Sequence, residues 1–218
     1  MCIRDSYHSF RQNSDLFYLT GIDQEQSILI LFPDHPVPAM RELLFLRKTN
    51  EHIAIWEGHK YTKDEAIATS GVKSIRWTDD FENVFPGMMN MAENCYLNLN
   101  EHTRYSNAVP YKDLRFAQEV KQHFPLHTFQ RSAPILTDLR RVKHRYEKEL
   151  VEEAVAITKK GFDRVMRFIK PGVMEFEIEA EMTHEFLMNR ATGHAYSCLL
   201  YTSPSPRDAT LSRMPSSA

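Results

Sequence analysis

The sequence predicts an α/β sheet domain over residues 7–138, followed by a helix pair in residues 139–197. Three observations carry that prediction. Short apolar runs such as Ser27–Phe32 and Leu43–Leu46 alternate with helical periods up to about Thr137, the pattern of a sheet covered by helices. From Leu139 a long apolar stripe at helical spacing runs into Pro171-Gly172 and then restarts. At Cys198 all periodicity stops, and Ser203–Ala218 is a Pro/Ser-rich run.

The individual elements follow in chain order. Phe10–Gly21 reads as an extended segment with a turn over Thr20–Asp23. Ser27–Phe32, stopped by Pro33-Asp34, suits a strand buried on both faces; Leu43–Leu46 and Ile53–Trp56 repeat the theme. Thr62 and Glu65 form a capping box, so a helix begins there, and Gly71 closes it. Val72–Trp77 is the next strand, and Thr78 caps a helical stretch interrupted by Pro86-Gly87. Cys95–Leu99 alternates as a strand does, Leu114, Ala117, Val120 and Phe124 mark a helix ended by Pro125, and Leu126–Phe129 closes the domain as a strand.

In the helical segment, Leu150, Ala154, Ile157, Gly161, Val165 and Phe168 recur at steps of three or four, with Val151, Val155, Phe162, Met166 and Ile169 widening the stripe. Pro171-Gly172 ends this helix because proline lacks the amide and glycine accepts a left-handed turn. In the second helix Glu175, Glu177 and Glu179 favour the positive end of the helix dipole, and Ile178, Met182 and Phe186 share a face. The charged run Arg145–Glu153 reads as a solvated face with i,i+4 pairs.

Composition excludes several classes. A net charge of -2 gives no field that recruits nucleic acid, and no apolar run of about twenty residues spans a membrane. Cys2, Cys95 and Cys198 show no paired spacing, so neither a zinc knuckle nor a disulfide framework is expected, and the cytoplasm is the expected compartment. His184-Glu185 lacks the second histidine four residues on, where Met188 stands; His123 and His127 straddle Pro125; His52 and His59 flank Trp56 without a carboxylate cluster. There is no Gly-x-Ser-x-Gly elbow and no phosphate loop among seven glycines. Residue chemistry therefore yields no catalytic group and no metal ligand, and names no reaction.

Three blocks carry a resemblance. FRQNSDLFYLTG (Phe10–Gly21) before SILILF, and IWEGHKYTKDEA (Ile55–Ala66), resemble the N-terminal domain of the aminopeptidase P family, in the creatinase and prolidase superfamily. LRRVKHRYEKELVEEAVAIT, the Pro171-Gly172 break and MEFEIEAEMTHEFLMNRATGHAYS resemble the opening of that family's catalytic pita-bread domain. The resemblance implies a ribonuclease-H-like mixed-sheet domain over 7–138 and an incomplete pita-bread (α+β) domain, present as a helix pair, over 139–197.

It also implies an activity: release of an N-terminal residue that precedes proline, by two divalent metal ions, commonly manganese, in a full-length homo-oligomer. The metals are held by two aspartates, a histidine and two glutamates, and all five fall beyond Ser197, so this stretch is expected to bind no metal and to be inactive alone. Three substrate-binding positions are implied within it. Trp56 matches a tryptophan at a neighbouring subunit's pocket, Arg140 an arginine near the pocket, and Asp15 an aspartate that pairs with charge around it. The alternatives are a prolidase acting on dipeptides, or a non-catalytic binding or oligomerisation module. Residues 1–6 and 198–218 resemble translated adapter sequence and are expected to be non-native, with the tail disordered and the second domain cut short. On that expectation the helix pair exposes Val151, Phe162 and Phe186 and favours association.

Overall fold

A computed structural model describes residues 10–48, 58–101, 109–191 and 193. The chain divides into two units, residues 1–140 and 141–218.

The first unit opens with a helix rather than an extended segment: α1 spans Ser14–Thr20. The Asn13 side chain accepts hydrogen bonds from the Asp15 and Leu16 amides at 2.9 and 3.2 Å, and Gly21 closes the helix at φ +68°. An asparagine cap and a glycine stop outweigh the extended bias of the aromatic run between them. Strand β1 (Ile28–Leu31) then pairs antiparallel with β2 (Glu42–Leu46), with Ile30 opposite Leu43. β2 pairs parallel with β3 (Ser74–Trp77), with Leu44 opposite Ile75, so the sheet is mixed as expected.

Leu43, Leu44, Phe45 and Leu46 have no exposed surface. Because successive strand side chains point to opposite faces, these four supply two cores. Leu44 and Leu46 pack with Ile22, Ala66, Val72 and Ile75; Leu43 and Phe45 pack with Met88, Ile28, Ile30 and Phe81. β1 is only partly buried and Leu31 is exposed, in contrast to the expected two-sided burial, because among the described residues β1 has a strand partner on one side only. The expected strand at Ile53–Trp56 lies outside the described residues.

Helix α2 (Lys63–Ser70) carries the predicted capping box: Thr62 N–H donates to Glu65 Oε2 at 2.8 Å, and Glu65 N–H donates to Thr62 Oγ1 at 3.3 Å. Helix α3 (Phe81–Met89) runs through Pro86-Gly87 instead of being interrupted there. An interior proline costs about 3 kcal/mol. Burial of Met88 and Met89, and the stacking of Phe81 and Phe85 at 5.0 Å, offset it. Strand β4 (Asn94–Leu97) pairs parallel with β5 (Thr128–Arg131), and helix α4 (Lys112–His123) lies between them in sequence. β5 starts two residues later than predicted, leaving Leu126 almost wholly exposed. A helix absent from the sequence reading, α5 (Ala133–Arg141), ends the unit; Ser132 ties its start to β4 through bonds to the Leu97 carbonyl.

The second unit is a helical hairpin of α6 (Arg145–Phe168) and α7 (Glu175–Met188). α6 begins at Arg145 rather than Leu139, because the His144 N–H is taken by Glu147 Oε2 at 2.9 Å, a start signal inside the charged run. Gly172, at φ +92°, turns the chain between them. The expected stripe is buried only from Ile157 onward; Leu150 and Ala154 are exposed, as are Val151, Val155, Phe162 and Met166. Phe186 is half-buried rather than exposed, since it packs at Gly161. Arg164 bridges to Glu181 at 2.5 Å and to Glu185 at 3.5 Å across the same seam.

Gly161 is required by closeness, not by backbone conformation. A Cβ there would lie 2.5 Å from Met182 Sδ and 2.9 Å from Phe186 Cε1. Gly161→Ala would gain about 1 kcal/mol of helix propensity but lose about 1–3 kcal/mol to overpacking. We expect a lower denaturation midpoint for the helical signal; a rise of the full propensity gain would show that the seam is slack.

Candidate functional site

Two of the three residues marked by resemblance meet in the structure. Arg140 Nη1 donates to Asp15 Oδ1 at 2.5 Å, although the two are 125 positions apart. Each is placed by local chemistry. Asn13 holds Asp15 in the first turn of α1, where the helix dipole favours a carboxylate. Arg140 is in the last turn of α5, whose start is fixed on β4 by Ser132.

Among the described residues, Asn98 and Tyr18 join the cluster. Asn98, just past β4, donates through Nδ2 to Asp15 Oδ2 at 3.4 Å, and the Arg140 guanidinium lies 5.6 Å from the centre of the Tyr18 ring. The sequence reading missed both. Tyr18 follows Asp15 by three residues and so shares its helix face, but that signal is visible only once α1 is recognised as a helix. Asn98 carries no periodic signal. The side chains of Asp15 and Arg140 are 24% and 37% exposed, so the pair is reachable from solvent while resting on packed elements. An aspartate with both oxygens engaged and an arginine held against a tyrosine ring form a pre-organised charged pair that can orient a polar group.

The third candidate, Trp56, lies outside the described residues. A groove of about 240 Å³ between α3 and α4 is walled by Phe81, Phe85, Phe116 and Phe124, and is lined by neither Asp15 nor Arg140.

The histidines and the cysteine singled out by the sequence stand in structural or surface settings. His127 Nε2 is 2.7 Å from the Met89 carbonyl, and its ring meets Phe124 edge-on. His59 pairs with Glu65 on the surface, and His184 is exposed on α7. Burial pushes the Cys95 thiol up, away from the thiolate a nucleophile needs. Among the described residues no three His, Cys, Asp or Glu side chains converge as metal ligands do, so the residues present do not fit a metal pair and no catalytic step is assigned to one. Nor is any described helix long and apolar enough to cross a membrane.

Residues 149–215 match metallopeptidase family M24, and residues 1–96 match the aminopeptidase P N-terminal domain. The matches define a class first: a metallopeptidase-type region preceded by a sheet domain. Within that class the two matches together support an aminopeptidase P N-terminal region joined to part of an M24 region. An Xaa-Pro aminopeptidase of Haemophilus influenzae is 24% identical over 90% of this chain and 43% of its own length. A Bacillus anthracis structure assigned to aminopeptidase P superposes with a TM-score of 0.80 at 28% identity, covering 89% of this chain and 46% of that one. The Pseudomonas aeruginosa aminopeptidase PepP gives 0.72 at 25% identity, covering 87% and 43%. The chain thus spans less than half the length of these relatives.

The Asp15–Arg140 bond can be weighed directly. In a double-mutant cycle of Asp15→Asn and Arg140→Met, read by urea denaturation, we expect a coupling of about 1 kcal/mol, at the upper end for solvent-reachable pairs. Additive effects would show that the bond contributes nothing net.

Proposed function

We propose that this chain supplies the N-terminal domain and the opening helices of a cytoplasmic Xaa-Pro aminopeptidase, a metal-dependent hydrolase releasing an N-terminal residue that precedes proline. The observation that carries the reading is the ordered pair of matches, aminopeptidase P N-terminal domain then M24, on one chain whose fold follows a structure of that family at a TM-score of 0.80. In the full-length enzyme two divalent ions, manganese in our reading, would supply the activation of water, and no described residue of this chain is assigned to hold them. The family's ligands for them fall beyond Ser197, and the 218-residue chain by itself is read as inactive.

Within that enzyme we assign this chain a substrate-positioning role. Arg140, held by Asp15 and Tyr18, offers a fixed cationic group to a peptide carbonyl or carboxylate. Trp56 offers an apolar wall for the proline ring, in a homo-oligomer where it faces a neighbouring subunit's pocket.

The test uses a full-length parent enzyme and the present chain side by side, with manganese and a tripeptide bearing proline second. We expect release of the first residue by the parent alone, and an Arg140→Met parent with KM raised about tenfold, the loss of roughly 1.4 kcal/mol of binding. Turnover by the 218-residue chain would overturn the inactive reading. Cleavage of dipeptides but not tripeptides by the parent would replace the aminopeptidase with a prolidase.

A further inference from the structure

The groove between α3 and α4 has no part in the reading above, and its walls are already built. Phe81 and Phe85, one helical turn apart on α3, stack at 5.0 Å, and Phe116 of α4 closes on them at 5.8 and 5.6 Å. Phe124, just past the end of α4, meets Phe85 edge-on at 6.2 Å, and Phe81 is anchored to the core by an edge-on contact with Phe45 at 5.4 Å. The inward faces of the two helices are filled by other side chains, since Met88, Met89, Ala117 and Val120 are buried. The four rings stay only partly buried and wall an open groove of about 240 Å³. Rings locked against one another lose little freedom when a ligand arrives.

The lips of the groove carry charge of one sign. Glu82 of α3 and Glu119 of α4 both line it, and both are exposed. Among the described residues neither carboxylate has a hydrogen-bond or ion-pair partner. Cations nearby on α4 are engaged elsewhere: Arg115 donates to the Pro110 carbonyl, and Lys121 Nζ lies 5.9 Å from the centre of the Phe129 ring. The other polar side chain of the lining is His123, in the last turn of α4. A phenylalanine face attracts a cation, and two carboxylates add to that attraction. The same set repels an anion, and a neutral apolar molecule gains from the rings alone. Volume sets the size of the occupant. The groove is smaller than the roughly 300–1,000 Å³ of drug-sized sites, so it takes one small molecule rather than a helix about 10 Å across.

We propose that this groove is a binding site for a small alkyl- or arylalkylammonium ion, its apolar body resting on the phenylalanine rings and its ammonium meeting Glu82 and Glu119. The groove shares no lining residue with the Asp15–Arg140 cluster, so the proposal stands or falls apart from the peptidase reading.

The test titrates the 218-residue chain with phenethylammonium chloride and follows backbone amide NMR shifts. We expect saturable shifts on α3 and α4, with phenethyl alcohol, the same shape without the charge, binding about tenfold more weakly. Hydrocinnamate, the anionic counterpart, leaves the shifts unmoved. Glu82→Gln combined with Glu119→Gln changes two exposed side chains without altering their size; it brings the ammonium down to the affinity of the alcohol and leaves the alcohol unchanged. Phe116→Leu keeps an apolar side chain but removes a ring face, and it weakens the ammonium by more than the alcohol. If Phe116→Leu does not fold, the paired glutamine variant decides the matter. Absence of saturable shifts, equal affinity for the ammonium and the alcohol, or a paired variant that binds the ammonium as before overturns the site.

Discussion

The first unit depends on one constraint, the burial of β2 on both faces. Leu43, Leu44, Phe45 and Leu46 are all excluded from solvent, and a four-residue apolar run can be satisfied only if each face is covered. Helix α2 and the Ile22 turn cover one side, and α3 with its phenylalanines covers the other. Burial of one such side chain is worth about 1.5–3 kcal/mol. Antiparallel pairing with β1 over Glu42–Phe45 and parallel pairing with β3 over Leu43–Leu46 then satisfy most of the strand's backbone within the sheet. The Asp15–Arg140 node lies at the margin of this core, where segments distant in sequence converge.

How much of this was legible differs by element, for physical reasons. β2 and α2 could be read because their signals are local: a run of leucines, a threonine with a glutamate three residues on, a glycine stop. α1 was misread because an aromatic run biases towards strand, while the deciding asparagine cap is a single residue. α3 was cut at Pro86 because its burial against Phe45 is a tertiary effect that no local window contains. α5 is only nine residues long, with Pro134 near its start and three charges in its second half, and its last three residues were absorbed into the next helix. The α6 stripe was read at full length, yet only its second half meets α7, and the neighbour that decides burial lies outside the period itself.

The site was less legible than the fold. Asp15 and Arg140 were marked only by resemblance, since a contact spanning 125 positions leaves no trace in periodicity or spacing. The groove between α3 and α4 was not marked at all, because phenylalanines at helical spacing resemble any core stripe. What distinguishes it is three-dimensional: four partly buried rings in one cluster, with Glu82 and Glu119 beside them. The Asp15–Arg140 node uses charge at a joint between elements rather than along an exposed helix face. Pairs such as Arg145–Glu149 and Lys159–Asp163, by contrast, are surface i,i+4 contacts worth little.

The Asp15–Arg140 contact also joins the first helix of the sheet domain to its last. Among the described residues that contact is a clasp: a change that loosens α1 is felt at the end of α5, and the reverse, although 125 positions of chain separate the paired side chains.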